Sequence, residues 1–239
     1  MEVAQESMDT ASMRFIGVGI YPVSQVTRLT GIPSPRIRRW IKGYDFRRGT
    51  GRSAPIWKTQ LPVVDKKAAL SFLDLLELRF VDAFLTAGVS LAKIRKAAEM
   101  AADLVGHDHP FSTNTFRTDG KRIFGELTHQ ETGAKSMIDL HSAQLGVAEF
   151  IIPSLTASIV FDEETGRASR WHPAPEAPRV VLDPAREFGQ PIIEDAGIQT
   201  ATLVDAWKVE GSIDRVATIF DLRREQVEEA VRFELRPAA

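Results

Sequence analysis

The sequence predicts an α+β protein, mainly helical, divided into a few small domains. Three observations predict it. Apolar residues recur at helical spacing in several stretches, and glycines at 31, 88, 106 and 211 close them. Short β-prone runs with turn residues between them occupy the middle of the chain. The 239 residues, 44% apolar and 26% charged, are enough to bury a core without disulfides or metals. The predicted boundaries are a disordered tail over 1–13, a helical head with a wing and dimerisation helices over 14–106, an α+β segment over 107–172, and a three-helix end over 173–239.

Composition removes several function classes. The chain has no cysteine, which excludes a disulfide framework, a thiolate zinc site, an iron–sulfur cluster and a cysteine nucleophile. That fits a cytoplasmic protein. No apolar run approaches the roughly 20 residues that span a bilayer, and the polar, acidic start MEVAQESMDTAS is no signal peptide. The net charge of −2 hides an asymmetry: residues 14–60 hold ten basic side chains against the single acid Asp45, a segment of +9. A compact cationic segment on an otherwise acidic protein is an electrostatic footprint for a polyanion.

Within that segment Val23, Val26 and Leu29 give a short helix one apolar stripe, stopped by Gly31. Ser34 is placed to cap a second helix, with Pro35 in its first turn. Ile37, Trp40 and Ile41 form an i, i+3, i+4 set that must face inward. This leaves Arg36, Arg38, Arg39 and Lys42 on the outer arc, as a helix laid in a DNA groove requires: an apolar back to fix its pose, and long donors for phosphates and base edges. The following YDFRRGTGRSAPIW reads as a hairpin wing, with Ile56 and Trp57 as its returning strand and Arg47, Arg48 and Arg52 at a basic tip. GTGRS lacks the lysine pattern and following helix of a nucleotide-binding P-loop. The expected DNA-binding residues are therefore Ser34, Arg36, Arg38, Arg39, Lys42, Arg47, Arg48 and Arg52.

Residues 70–87 are apolar around most of a helix. Leu73, Leu76, Phe80 and Phe84 form one stripe and Leu75, Leu78, Val81 and Leu85 another. The first stripe is the expected dimerisation face, because two recognition helices must reach two half-sites. Ser90 caps a further helix that ends at Gly106. In the middle segment Thr118-Asp119-Gly120-Lys121 predicts a hairpin turn, Glu131-Thr132-Gly133 another, residues 136–155 a strand and then a helix stopped by Pro153, and Glu164-Thr165-Gly166 a second hairpin. His107 and His109 are expected to be turn or surface residues, since no acid cluster completes a metal site. Asp162, Glu163 and Glu164 read as a solvated loop, with no base to make them catalytic. Neither enzyme activity nor a cofactor or metal is expected.

Trp171, Pro173, Pro175 and Pro178 suggest a stiff linker. Two β-prone pieces follow around Gly189-Gln190-Pro191, then three helices. Residues 179–239 carry eight basic and twelve acidic side chains, the wrong sign for gripping a duplex unaided. A protein partner suits that surface better.

The order of helix, turn, arginine-rich helix, basic wing, long helix and AGVSLAKIRKAAEMA resembles the DNA-binding domain of the MerR family over residues 20–104. Residues 55–70 are longer here than the usual pattern, and metal-sensing members rely on cysteines that this chain lacks. VLDPAREFGQPII, GIQTATLVDAW and GSIDRVATIFDLRREQVEEAVRFE are similar to a C-terminal domain of unknown function found in bacterial antitoxins of the VapB kind. Asp195-Ala196-Gly197-Ile198 stands where that pattern usually has Gly-Thr-Arg-Ile. The combined resemblance implies a homodimeric antitoxin of a type II toxin–antitoxin system. It also implies a VapC-type PIN-domain ribonuclease toxin as partner and binding to an operator in its own promoter. The alternative is a stand-alone MerR-like transcriptional regulator that binds a small effector in its middle segment.

Overall fold

The computed structural model describes residues 17–45, 51–62, 68–131 and 148–236. The expected tail over 1–13, the wing-tip residues Arg47 and Arg48, the turn at 131–133 and the strand expected from 136 fall wholly or partly outside that set. The fold is α+β and mainly helical, as the periodicity predicts. It divides into two compact units: one spans 22–168, and the other joins the residues up to Tyr21 to 169–238.

The first unit begins with the outgoing end of strand β1 (Tyr21–Pro22) and helix α1 (Val23–Thr30), which buries Val23, Val26 and Leu29. Gly31 ends α1 in the left-handed conformation, its N–H donating to the Thr27 carbonyl. Helix α2 (Ser34–Lys42) buries Ile37, Trp40 and Ile41, the predicted inward set. Its N-cap is Pro33, and the Ser34 hydroxyl instead pairs with that of Thr27 on α1 at 2.9 Å. Pro33 cannot cap through a side chain, so the turn is held by the hydroxyl pair and the proline's fixed φ.

Strands β2 (Tyr44–Asp45) and β3 (Arg52–Ser53) pair antiparallel, Tyr44 opposite Ser53 and Asp45 opposite Arg52, and form the base of the wing. Ile56 and Trp57 are not its returning strand. They lie in a bend beyond β3, both buried, and Ile56 N–H donates to the Trp40 carbonyl at 2.9 Å. Burying the indole in the core outweighs its β propensity.

Strand β4 (Ala69–Leu70) leads into α3 (Phe72–Thr86), whose start is a reciprocal capping box between Ser71 and Asp74. Helix α4 (Leu91–Val105) is capped by the Ser90 side chain and ended by Gly106. A 3₁₀ turn at Pro110–Ser112 then brings Phe111 beneath α3. Phe80, Phe84, Phe111 and Phe116 form an aromatic cluster with centroids 4.7–6.3 Å apart, Phe80 and Phe116 meeting edge to face. This corrects the assignment of the first α3 stripe to a partner subunit. Leu76, Phe80 and Phe84 are fully buried inside this chain and Leu73 is half-buried, so the stripe is spent on the chain's own core.

The predicted hairpin at 118–121 is instead the interior of α5 (Asn114–Glu131). Thr113 accepts from Phe116 N–H at the start of this helix, and Phe116, Gly120 and Ile123 are buried at i, i+4, i+7. Gly120 serves close packing rather than a turn: a Cβ there would sit 2.7 Å from Ile152 Cδ1 and 3.1 Å from the Phe116 ring. Ile152 lies on helix α6, described over 148–156, which passes through Pro153 rather than stopping at it. Strand β5 (Ile159–Phe161) leads into the predicted turn at 162–166, closed by Asp162 N–H on the Arg167 carbonyl at 2.8 Å. Asp162, Glu163 and Glu164 are exposed there, as expected.

The second unit carries β6 (Ala168–Trp171), β7 (Val180–Leu182), β8 (Pro191–Ile193) and β9 (Ile198–Gln199), paired antiparallel in chain order. The proline-rich residues 173–178 connect β6 to β7 inside this unit, with Ala174 and Ala177 buried. Helices α7 (Thr200–Glu210), α8 (Ile213–Phe220) and α9 (Arg224–Leu235) follow. Gly211 ends α7 in the left-handed conformation, and the Ser212 side chain caps α8. Leu203, Val204, Val216, Val227, Ala230 and Phe233 form the core among them. The incoming chain docks here too: Ile20 N–H donates to the Phe188 carbonyl, and the buried Tyr21 hydroxyl donates to Gly189 at 2.7 Å. Burial, with Asp183 nearby, pushes the Tyr21 phenol up, so it remains a donor.

Gly120→Ala, which adds helix propensity at an α-helix interior, should nevertheless destabilise the protein by ~1–3 kcal/mol through overpacking against α6. Differential scanning calorimetry reads it as a lowered Tm. An unchanged or raised Tm would show that the α5–α6 approach is not tight.

Candidate nucleic-acid interface

The outer face of α2 is cationic because its inner face is apolar: once Ile37, Trp40 and Ile41 are buried, the remaining long side chains have only solvent to enter. Arg36, Arg38, Arg39 and Lys42 are all exposed. Each has a different setting. Arg36 donates through Nη1 to Asp82 Oδ1 on α3 at 2.9 Å, with the two side chains 51% and 28% exposed. Its guanidinium also stands 5.9 Å from the Trp40 ring. Arg39 stacks over the Tyr44 ring at 4.2 Å, a cation–π contact that pre-orders it. Arg38 and Lys42 reach outward with no carboxylate partner among the described residues. Ser34, expected on this surface, is half-buried and engaged with Thr27. An open cleft of about 310 Å³ runs beside the helix, lined by Arg36, Arg39, Trp40, Tyr44, Leu85, Thr86 and Leu91.

The wing base is tied to α2 and α4. Arg52 is exposed, and its Nη2 donates to the Lys42 carbonyl at the end of α2 at 3.0 Å. Arg95 on α4 donates through Nη2 to Ser53 Oγ and the Ala54 carbonyl, both at 2.7 Å. Gly43 makes the crossing possible: it adopts a φ of 69°, and a Cβ there would lie 2.2 Å from the Ser53 carbonyl. Arg95 is a positioning residue that sequence reading missed. Its signal was the LAKIRKAA helix itself, where Ile94 faces inward and Arg95 flanks it.

Below the wing lies a buried carboxylate hub. Asp74 Oδ1 accepts from Trp57 Nε1 at 2.7 Å and from His109 Nε2 at 2.8 Å, and its Oδ2 accepts from Ser71 N–H at 2.9 Å and Gln60 N–H at 3.4 Å. Since an ionised carboxylate only accepts, His109 carries its proton on Nε2. Burial alone would raise the Asp74 pKa, but the His109 hydrogen bond and charge, with the Ser71 and Trp57 donors, hold it below the ordinary carboxylate value. His109 is thus a buried structural ligand of Asp74 and not the expected surface residue. His107 is half-buried, its Nδ1 accepting from His109 N–H at 3.0 Å, and burial together with Arg167 and His109 lowers its pKa. No group of three metal-ligating side chains occurs among the described residues. One turn along α3, Glu77 is buried and accepts from Ser112 N–H at 3.0 Å. Burial pushes its pKa well up, and neighbouring Asp74 adds to that.

The second unit presents a different electrostatic surface. Most of its arginines are engaged with acids, among them Arg179 with Glu229, Arg186 with Asp183, Arg223 with Asp195, and Arg224 with both Asp214 and Glu228. Phe188, Val209, Ile219 and Leu235 are exposed apolar residues on the same unit.

A cationic helix on an apolar back, braced by a short hairpin, and an acid-rich three-helix unit define a two-unit α+β protein with one strongly cationic helix face. Comparison with known proteins narrows this. Residues 180–233 match the family described as "Protein of unknown function (DUF433)", which spans β7 to α9. Over 224 residues the chain is 23% identical to "Putative antitoxin VapB45" of Mycobacterium tuberculosis strain H37Rv, covering 90% of this chain and 93% of that protein. The fold is similar to the X-ray structure of Rv2018 from Mycobacterium tuberculosis, with a TM-score of 0.68 at 20% identity over 90% of this chain and 98% of the other. No helix among the described residues is long and apolar enough to cross a membrane.

The two buried carboxylates respond to pH in opposite senses. Asp74, lowered in the folded state, contributes stability above its unfolded pKa, near 3.9, and loses it as the pH falls through the folded value. Asp74→Ala should therefore lower stability by ~2–4 kcal/mol at pH 7, by stranding the Trp57, Ser71 and His109 donors, and the gap to wild type should narrow in acid. Glu77, raised in the folded state, keeps its proton after the unfolded chain has released it, so its burial costs stability as the pH rises. Glu77→Gln should gain on wild type between pH 5 and pH 8. Thermal melts from about pH 2 to pH 5 check Asp74 and from about pH 5 to pH 8 check Glu77, and parallel curves for either variant in its own range would refute the corresponding assignment.

Proposed function

We propose that the protein is a non-enzymatic antitoxin of a type II toxin–antitoxin system, which binds its own promoter DNA and neutralises a VapC-type PIN-domain ribonuclease. The observation that carries the DNA half is the exposed cationic face of α2, where Arg38, Arg39 and Lys42 stand clear of any carboxylate among the described residues, beside the wing base at Arg52. Backbone phosphates dominate affinity in such an interface, and a helix at groove width supplies the base contacts. The wing with Arg47, Arg48 and Arg52 would add phosphate grips on the flank. As a homodimer, the protein would place two such helices on half-sites about 34 Å apart. The antitoxin half is supported by the similarity to a protein named as an antitoxin along nearly the whole of both chains. In this reading the second unit, with most of its arginines already paired and its exposed Phe188, Val209, Ile219 and Leu235, faces the ribonuclease rather than DNA.

Replacing both cations, with Arg38→Ala and Lys42→Ala together, should weaken binding to a duplex of the protein's own promoter by ~10-fold or more. It should also flatten the slope of log K against log salt by about 0.9 for each phosphate that the variant no longer neutralises. Fluorescence anisotropy at several salt concentrations reads both, and unchanged binding would remove α2 from the interface. Co-expression of the full chain with the ribonuclease encoded beside it should give a stable complex and suppress that enzyme's toxicity. Undiminished toxicity with no complex would remove the antitoxin half and leave the DNA half standing.

A further inference from the structure

The four cations of α2 are not equivalent. Arg36 meets a carboxylate, Asp82, which comes from a different helix and reaches it at 2.9 Å; Arg38, Arg39 and Lys42 meet none among the described residues. The contact uses one nitrogen of the guanidinium and leaves Arg36 half-exposed at the edge of the α2 cleft. One donor of this guanidinium is therefore already engaged by an oxyanion of the chain's own.

From this geometry, and resting on the DNA-binding reading above, we infer that Asp82 is a specificity-determining residue. It withholds Arg36 from sequence-independent phosphate contacts and releases it only to a base. Moving Arg36 from Asp82 to a single phosphate exchanges one exposed, salt-screened ion pair for another, so little is gained. A guanine presents O6 and N7 to two guanidinium donors at once, which a lone carboxylate oxygen does not match. Over most sequences Arg36 stays with Asp82, and at a site with guanine in register it transfers. Asp82 thus lowers affinity for the many wrong sites more than for the right one, a form of discrimination that a bare cationic helix lacks.

The test compares wild type, Asp82→Asn, Arg36→Ala and the double variant on two duplexes: one of random sequence and one of the protein's own promoter. Asp82→Asn should tighten binding to random DNA about threefold near 0.1 M salt and steepen its salt slope by about 0.9, as expected for one further phosphate neutralised. Promoter affinity should change less, so the specificity ratio falls. In the Arg36→Ala background Asp82→Asn should change neither duplex. Asp82→Glu, which keeps the charge, should behave as wild type and separates this role from a fold defect, which circular dichroism and Tm also report. Equal changes on both duplexes, weaker binding to both, or the same effect without Arg36 would overturn the proposal. Arg38→Ala with Lys42→Ala runs alongside: loss of binding there with no selective effect at Asp82 overturns only the role of Asp82. No loss there removes the DNA-binding reading, and this inference with it.

Discussion

The Asp74 carboxylate is the constraint on which the head of this protein depends. A single buried side chain accepts from an indole beyond the wing, the backbone ahead of its own helix, and an imidazole from the segment after α4. Such a group is costly to bury and is stable only when its lone pairs are met. That makes the hub a device for fixing relative position, since each donor has one geometry that satisfies it. The bend beyond the wing, the start of α3 and the loop carrying Phe111 are set against one another by these bonds, and the aromatic cluster fills the space behind. The exposed face of α2 inherits its pose from this arrangement through the Trp40 carbonyl, which accepts from the same segment that carries Trp57.

Charge is distributed to match. The cations of α2 stand on a rigid, apolar-backed helix, with one of them balanced by Asp82. In the second unit most arginines are matched to carboxylates, Arg186, Arg223 and Arg224 within hydrogen-bonding distance. Exposed pairs of this kind contribute little to stability. Their larger effect is on what the surface attracts. Exposed cations without carboxylate partners favour anions, whereas a surface of matched pairs leaves shape and apolar contact as the means of recognition.

Much of this was legible in the sequence, because local signals and tertiary packing agree there. Gly31, Gly106, Gly211, Ser90 and Ser212 mark helix ends that the structure places as expected, and the Ile37, Trp40, Ile41 triad points inward. The failures share a cause: a residue type was read by its commonest use where a long-range contact decided. Gly120 follows an aspartate, which suggests a hairpin, but its absent side chain admits Ile152 from a helix thirty residues on. Phe80 and Phe84 look like a spare stripe until Phe111 and Phe116 cover them. His109 has no sequence neighbour to explain it, because its partner Asp74 lies 35 positions earlier. The cationic face was readable from periodicity alone. The Arg36–Asp82 and Arg95–Ser53 contacts were not, since each joins elements more than 40 residues apart.

The docking of Ile20 and Tyr21 on the loop at 188–189 has a consequence for biogenesis. The second unit joins Tyr21 and the described residues just before it to the chain from 169 onward, with the head between them. On the ribosome, the head has all of its sequence once residue 168 emerges and can fold while the rest is being made. The Tyr21 hydroxyl must wait for Gly189 to leave the exit tunnel, so this contact of the acid-rich unit closes only after the whole head has emerged. Any fragment that starts after the head leaves the Gly189 carbonyl without its phenol and the Phe188 carbonyl without the Ile20 N–H.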